Sequence, residues 1–271
     1  MNESGQSQGR MAISTTQNFW DKQATKYDSS ERQFEPVFED VLGRTRDLLE
    51  PTDTVLDFGC ATGTRTLSIA SSAKQIHGLD FSKEMITLAK KKKTEAGVDN
   101  VDFSQGTIFD NDFRDASFDK IVSYGVIHLL EDKEKAIGKI RSLLKPGGLF
   151  ISTTACLKDK MTFLNKLQFM AYLFIKRIGI FPIHLDMMTS SDVEGLVESG
   201  GFRLAETEVI FHGITISYVV GEKNGNSVQR PGRKCPYRAG PGGEGKARRQ
   251  RTGSANARRS NAAIRRSGQA I

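Results

Sequence analysis

The sequence predicts an α/β chain: a doubly wound, mostly parallel sheet with an antiparallel last strand and helices on both faces. Three observations carry this. Thr54-Val55-Leu56-Asp57-Phe58 is a short apolar run that closes on Gly59 and Gly63 and leads into a helix-like stretch, the pattern of a strand buried on both faces followed by a tight turn. A second apolar run ends at Asp80, 23 residues after Asp57, the length of one strand–helix–strand unit. Strand-like and helix-like segments then follow one another as far as Val220.

The turn after the first strand narrows the ligand. In open α/β sheets ligands bind at the carboxyl ends of the strands, where Asp57 and Asp80 both fall. A dinucleotide site asks for G-x-G-x-x-G and a pyrophosphate on the helix N-terminus. The three glycine positions here hold Gly59, Ala61 and Thr64. A carboxylate at Asp57 would repel a pyrophosphate and suit a cationic ligand with hydrogen-bond donors. Asp80 is placed to hold a ribose diol. A ribose at one end and a cationic group at the other describe S-adenosyl-L-methionine better than NAD. With Val55-Leu56-Asp57-Phe58-Gly59-Cys60-Ala61-Thr62-Gly63 the chain resembles the class I S-adenosylmethionine-dependent methyltransferases of Rossmann-like fold, in particular the type 11 group. Their pattern is D-x-G-x-G-x-G, from which Ala61 departs at the middle glycine. The resemblance implies that Asp57 orients the ammonium end of the methyl donor and that Gly59, Ala61 and Gly63 let it approach the backbone.

The elements follow in order. Residues 1–14 are polar and read as disordered. The catalytic domain is expected over 15–223. Trp20, Ala24 and Tyr27 share one helical face. They form either an amphipathic helix packed on the body or a flap over the cofactor; the resemblance, through the family element W-D-x-x-A-x-x-Y-D, brings Tyr27 to the methionine end. A second helix runs from Glu35 to Leu49, and Pro51 breaks the chain before the first strand. A helix over 63–72 and a strand ending at Asp80 follow. Ser82 caps the next helix. Phe81 and Met85 either flank adenine or belong to the core. Asn100–Gln105 is the third strand. Thr107 stands where the resemblance places an acid for the adenine amino group, and Ile108 is a candidate adenine wall.

Phe118–Tyr124 is the fourth strand, and its carboxyl end faces the active site. It continues as Ser123-Tyr124-Gly125-Val126, without the N-P-P-Y or D-P-P-Y tetrad of enzymes that methylate a nucleobase amine. Ile127-His128-Leu129-Leu130 resembles the family's L-H-H-L stretch. Tyr124 and His128 are the candidates facing the acceptor, His128 as a base or as a structural residue. A helix over 133–144 stops at Lys145-Pro146-Gly147-Gly148, a second family match, and Leu149–Thr154 is strand five. The stretch 155–188 is an insertion with helical apolar spacing through Met161–Ile178, closed by Phe181-Pro182-Ile183. It reads as a substrate lid, as core packing, or as an interfacial membrane helix. Thr189 and Asp192 open the last helix with capping chemistry, and two strands turn at His212-Gly213.

The formal charge of +7 conceals two opposite regions. Residues 224–271 hold twelve Lys/Arg against Glu244 alone, which leaves the first 223 residues at −4. The tail is Gly-, Arg-, Ser- and Ala-rich and reads as disordered; nucleic-acid binding through it is the less favoured reading. Cys60, Cys156 and Cys235 are too far apart for a metal-ligand cluster and fit a reducing, cytoplasmic setting. No apolar stretch approaches the ~20 residues that span a bilayer. The expected function is methyl transfer to a small apolar or lipid-like acceptor. The alternatives are an RNA methyltransferase anchored by the tail and an S-adenosylmethionine-binding protein without catalysis.

Overall fold

The computed structural model describes residues 3–110, 113–177 and 183–224. Helix α1 (Glu3–Glu31) and helix α2 (Glu35–Leu48) precede the sheet, with a 3-10 turn, Arg32–Phe34, between them. α1 begins inside the stretch that the sequence leaves without structure. Then come β1 (Thr54–Phe58), α3 (Thr64–Ile69), β2 (Gln75–Asp80), α4 (Lys83–Ala96), β3 (Val101–Gln105) and β4 (Phe118–Tyr124). The second half holds α5 (Lys133–Leu143), β5 (Leu144–Met161), α6 (Phe163–Arg177), α7 (Ser190–Ser199), β6 (Phe202–His212) and β7 (Ile214–Lys223). The end of the insertion's expected closing turn, Phe181-Pro182, and the tail beyond Asn224 lie outside the described residues.

The seven strands form one sheet in the order β3-β2-β1-β4-β5-β7-β6. β1 through β5 pair in parallel, while β7 runs antiparallel to both β5 and β6. The predicted mostly parallel sheet with one antiparallel strand is therefore present. The topological switch lies at β1, between β2 and β4, which is where such sheets bind ligands. Side chains alternate across the sheet. Val55, Val122 and Ile151 pack with Val41 of α2, Ile69 of α3 and Ile86 of α4. Leu56, Ile121 and Phe150 pack with Ile140 of α5 and Val193 of α7. Both faces are covered, so the central strands read as continuous apolar runs.

Local signals account for the element ends. The Ser82 hydroxyl accepts from the Met85 N–H at the start of α4, and Gly97 ends that helix with φ of 62°. Thr189 and Asp192 form a reciprocal capping box on α7. Gly213 carries the β6–β7 turn with φ of 77°.

One strand is longer than expected. β5 pairs with β4 as far as Thr153 opposite Tyr124, then continues against β7 to Met161 opposite Ile214. The first part of the 155–188 insertion is thus strand. From Leu157 its residues alternate: Leu157, Asp159 and Met161 are half-buried, while Lys158 and Lys160 are exposed. The paired β5–β7 ribbon projects about 13 Å beyond the end of β4, four β7 residues (Tyr218 to Ile214) at roughly 3.3 Å each, and β5 bulges between Cys156 and Met161. α6 rests on that projection, tied by the Thr162 N–H donating to the Gly213 carbonyl at 2.8 Å.

Candidate functional site

The turn Gly59–Gly63 is held from two sides. The Gly59 and Cys60 N–H groups both donate to the Leu79 carbonyl, at 2.8 and 3.1 Å. The Ala61 N–H donates to Asp80 Oδ2 at 3.0 Å and the Ser82 N–H to Asp80 Oδ1 at 2.9 Å. Asp80 therefore fastens the tip of the turn to the start of α4. Burial pushes its carboxyl up to about 6, against the pull of those two N–H groups. The glycines serve the protein's own packing. A Cβ on Gly59 would lie 2.4 Å from Val126 Cγ2, and one on Gly63 would lie 2.6 Å from Phe103 Cζ. Both have positive φ, and so does Ala61, with φ of 48°.

Asp57, at the end of β1, is buried. Its Oδ2 accepts from the Thr66 hydroxyl at 2.6 Å. Its Oδ1 is enclosed and has no hydrogen-bond partner. Burial lifts this carboxyl to about 6, with Thr66 and Arg65 pulling it down and Asp80 pushing it up. A buried acid with a spare oxygen asks for a donor or a cation. That oxygen, on the glycine turn and beside Asp80, fits a ligand carrying an ammonium group and hydrogen-bond donors. S-adenosylmethionine has both.

α1 lies over this turn. Ala24, Ala61 and Met85 form a buried cluster with Trp20, Tyr27 and Leu88 packed against it. The helical face expected at Trp20, Ala24 and Tyr27 thus meets the cofactor turn, and the Trp20 and Tyr27 rings stand 6.3 Å apart, edge to face. Burial and Glu31 raise the Tyr27 hydroxyl to about 12, so it stays a neutral donor. A polar seam runs beside the apolar contact. The Ser82 hydroxyl donates to Asp21 Oδ1 at 2.5 Å and the Glu84 N–H donates to the same oxygen. Asp28 Oδ1 accepts from Thr62 Oγ1 at 2.6 Å and Thr64 Oγ1 at 3.1 Å, and Asp28 Oδ2 pairs with Lys92. Arg65 donates to Glu31 at 2.6 Å. Sequence reasoning missed this seam, although Asp21 and Asp28 stand two helical turns apart, beside the face that it did find.

The other candidates are spread out. Phe81 is half-buried and Ile108 fully buried. Thr107 bonds Asp110: its N–H and its hydroxyl both donate to Asp110 Oδ2, at 3.2 and 2.6 Å. A carboxylate thus stands against Thr107 after all, supplied from three residues downstream. The Tyr124 hydroxyl is paired with Thr45 Oγ1 of α2 at 2.9 Å, and its ring lies edge-on to Phe38. Burial drives its hydroxyl far above the usual tyrosine range. His128 sits in the 3-10 turn Ile127–Leu129 after β4. It is buried, its Nδ1 has no partner, and burial lowers its imidazole to about 4, against the pull of Asp186. The structure therefore gathers Tyr27, Asp57, Ala61, Asp80 and Met85. It places Tyr124 in the layer beneath α2, while Ile127, beside His128, packs in the opposite layer.

A cleft of about 570 Å³ opens at the projecting end of β5 and β7. Phe34, Leu157, Met161, Phe169, Tyr172 and Ile214 give it apolar walls, and Gln33, Asn165, Gln168 and His212 give it a few polar ones. His212, expected as a surface turn residue, bonds the Gln33 carbonyl through Nε2 at 2.8 Å. Gln33 lies six residues beyond Tyr27, about 9 Å along a helical path. The same stretch of chain thus borders both the glycine turn and the cleft.

Comparison with known proteins bears on both regions. The family described as "Methyltransferase domain" matches residues 49–201. A probable S-adenosylmethionine-dependent methyltransferase of Mycolicibacterium smegmatis is 25% identical over 175 residues, covering 65% of this chain and 62% of that protein. A demethylmenaquinone methyltransferase of Bacillus velezensis is 32% identical over 96 residues, 34% of this chain and 41% of that protein. The chain therefore spans less than two thirds of these relatives. A putative methyltransferase of Haloferax volcanii, solved in complex with the Trm112 activator, superposes with a TM-score of 0.61 at 19% identity, over 76% of this chain and 97% of that one; this likeness is one of fold. Among the described residues no helix is long and apolar enough to cross a membrane. The match over residues 49–201, the sheet order and the acidic glycine turn agree: the chain belongs to the class I S-adenosylmethionine-dependent methyltransferases.

Proposed function

We propose that the chain transfers a methyl group from S-adenosylmethionine to a small apolar acceptor held in the cleft beneath α6. The cleft carries this reading. Its walls are aromatic and aliphatic, with a few polar groups to fix orientation, the composition of a small-molecule site. One relative is named for demethylmenaquinone, but it shares too little of this chain to name the acceptor.

The methyl donor's site is assigned as follows. Asp57 Oδ1 takes the ammonium end and Asp80 the ribose. Tyr27 and Met85 close over the turn from α1 and α4. Phe81 and Ile108 flank the base, and Asp110, braced by Thr107, accepts from its amino group. When bound, S-adenosylmethionine supplies an electrophilic methyl group on a sulfonium centre, which an acceptor's lone pair can displace. The protein's part is to position the acceptor and exclude water.

His128 does not line the cleft; it is assigned as the group that takes the acceptor's proton where the acceptor has one and its reacting end extends from the cleft to the turn after β4. Its imidazole, held near 4 by burial, is unprotonated throughout the neutral range and so free to accept, though as a weaker base than an imidazole poised near neutrality. Tyr124 is a positioning residue that ties α2 to the end of β4 through Thr45.

Calorimetry with S-adenosylmethionine, followed by turnover of methyl-labelled donor with a cell extract, tests this. Label passing into a small product that partitions into organic solvent supports the reading. Label that is lost to ribonuclease would establish the RNA reading instead. Donor binding with no transfer to any fraction would reduce the chain to a binding protein. His128→Gln should lower kcat and leave the donor's KM unchanged. It should also remove an acid limb in the rate profile that wild type shows near pH 4–5, since the folded pKa is about 4.

A further inference from the structure

The outer face of α6 carries an apolar surface that nothing among the described residues covers. Phe163, Leu167, Met170, Leu173 and Phe174 are between 38% and 80% exposed, and so is Leu164, which also borders the cleft. Residues 163, 167, 170 and 174 recur at helical spacing and form one stripe. The opposite side of the helix faces the cleft through Asn165, Phe169 and Tyr172. α6 is thus a thin wall, with the cleft on one side and an exposed apolar stripe on the other.

The segment is basic in sequence. The sequence of α6 contains Lys166, Lys176 and Arg177 and no acid. Lys158 and Lys160 precede it and are exposed. The nearby Asp159 is engaged by the N–H and hydroxyl of Ser190, at 2.7 and 2.8 Å. This contrasts with the charge of −4 on the first 223 residues as a whole.

We infer that α6 docks on an anionic lipid surface, its stripe in the headgroup boundary and Lys166, which flanks the stripe at helical spacing, on acidic headgroups. Apolar residues flanked by basic ones are what such an interfacial helix requires. A second copy of the chain fits less well. The stripe is about 16 Å long at 1.5 Å per residue, and a two-fold contact through it would put the same basic residues on both partners, with no acid in α6 to answer them. The chain's own tail fits no better, because residues 224–271 are basic and nearly free of large apolar side chains. The inference deepens the proposed function, because an acceptor dissolved in a bilayer would reach the cleft beside the helix that rests on it. Vesicle binding is nevertheless measured without donor or turnover. A chain that binds vesicles and transfers nothing would leave this inference standing and sink the other.

The test is flotation of the full chain with vesicles of phosphatidylcholine alone and of phosphatidylcholine with phosphatidylglycerol, at low salt and at about 0.5 M salt, where the Debye length is only a few Å. The expected result is binding to the anionic vesicles that persists in part at high salt. Leu167→Glu with Phe174→Glu should cut that salt-resistant binding by about tenfold or more with an unchanged melting temperature, since both side chains are exposed. Should that double variant fail to fold, Met170→Trp provides a second measurement. Its emission should shift to the blue when anionic vesicles are added. Binding that salt abolishes entirely would assign the interaction to the basic tail and overturn the inference. So would a double variant that floats like wild type, or one that changes only from dimer to monomer in light scattering.

Discussion

The two ends of the sheet's carboxyl edge are built on opposite plans. At β1 and β2 the chain is tied down: two buried carboxylates, a turn with three positive φ values, and a helix laid across it by a seam of acids. At β5 and β7 a ribbon projects past its neighbours and carries one helix with an exposed apolar face. The first region stores unfavourable electrostatics within saturated backbone hydrogen bonding. The second exposes apolar surface that a more stable design would bury. Each departure from stability marks a place where something else is to bind. On the proposed function, the donor end is fixed by charge and backbone geometry, and the acceptor end is set by apolar walls that can change without disturbing the turn.

The strongest way to break this contrast is Asp80→Ala. It leaves the Ala61 and Ser82 N–H groups without their acceptor and removes the proposed ribose ligand. S-adenosylmethionine affinity measured by calorimetry should fall by about 1–3 kcal/mol, the scale of a lost hydrogen bond to a charged group. Equal affinity in the variant and wild type would remove Asp80 from the donor site and leave it a purely structural brace.

Asp57→Asn sharpens the same contrast through pH. The folded carboxyl titrates near 6 and the ordinary value is 3.8. Below about pH 4 both folded and unfolded chains hold the proton, and the group costs nothing. Between about pH 4 and 6 the unfolded chain releases its proton first, so stability falls as pH rises, and above 6 the cost is constant. Asparagine cannot ionise and can still accept from Thr66. It should therefore stabilise the protein at pH 7 by on the order of 2 kcal/mol, roughly 5 °C in Tm, while weakening donor binding. A Tm that falls at pH 7 would mean that Asp57 is satisfied as an anion.

Asp28→Ala tests the seam. The aspartate is half-exposed at its Lys92 side, so that ion pair contributes little; the Thr62 hydrogen bond is the better-shielded contact. Donor affinity should fall about tenfold or less, and proteolysis within α1 should quicken. An α1 no more open to protease than before would mean that Ala24 and Met85 alone hold it down.

Much of this was legible. β2 and β4 fall on the residues that the sequence assigns to them, because an apolar run bounded by polar and glycine residues admits few other readings. The glycine turn, Asp57 and Asp80 were legible for the same reason, since their chemistry is local. What was not legible depends on contacts across the fold. Asp21 and Asp28 look like the solvated edge of an amphipathic helix until α4 and Thr62 come beneath them. Residues 155–161 contain Lys158, Asp159 and Lys160, and it is the pairing of Ala155, Cys156 and Met161 with β7 on either side of them that draws the stretch into the strand. Tyr124 lies at the active-site end of β4, as expected, yet its side chain points to the α2 layer, where Thr45 meets it. Alternation fixes two faces but does not say which helix covers each.

The smallest effect concerns Ala61, the residue at which the turn departs from its family. It occupies the left-handed region, with φ of 48°, which costs a non-glycine residue about 1–2 kcal/mol. Glycine would relieve that strain. It would also free the unfolded chain and remove the methyl group that packs on Ala24 and Met85. These terms oppose one another, so Ala61→Gly should move stability by less than about 0.5 kcal/mol, within roughly 2 °C in Tm. Donor affinity is then the informative measurement. Unchanged affinity means that the methyl group belongs to the contact between α1 and the turn, and that the turn keeps its shape without it. A rise would mean that the methyl group stands in the donor's path, so that α1 is fastened over the turn at the donor's expense.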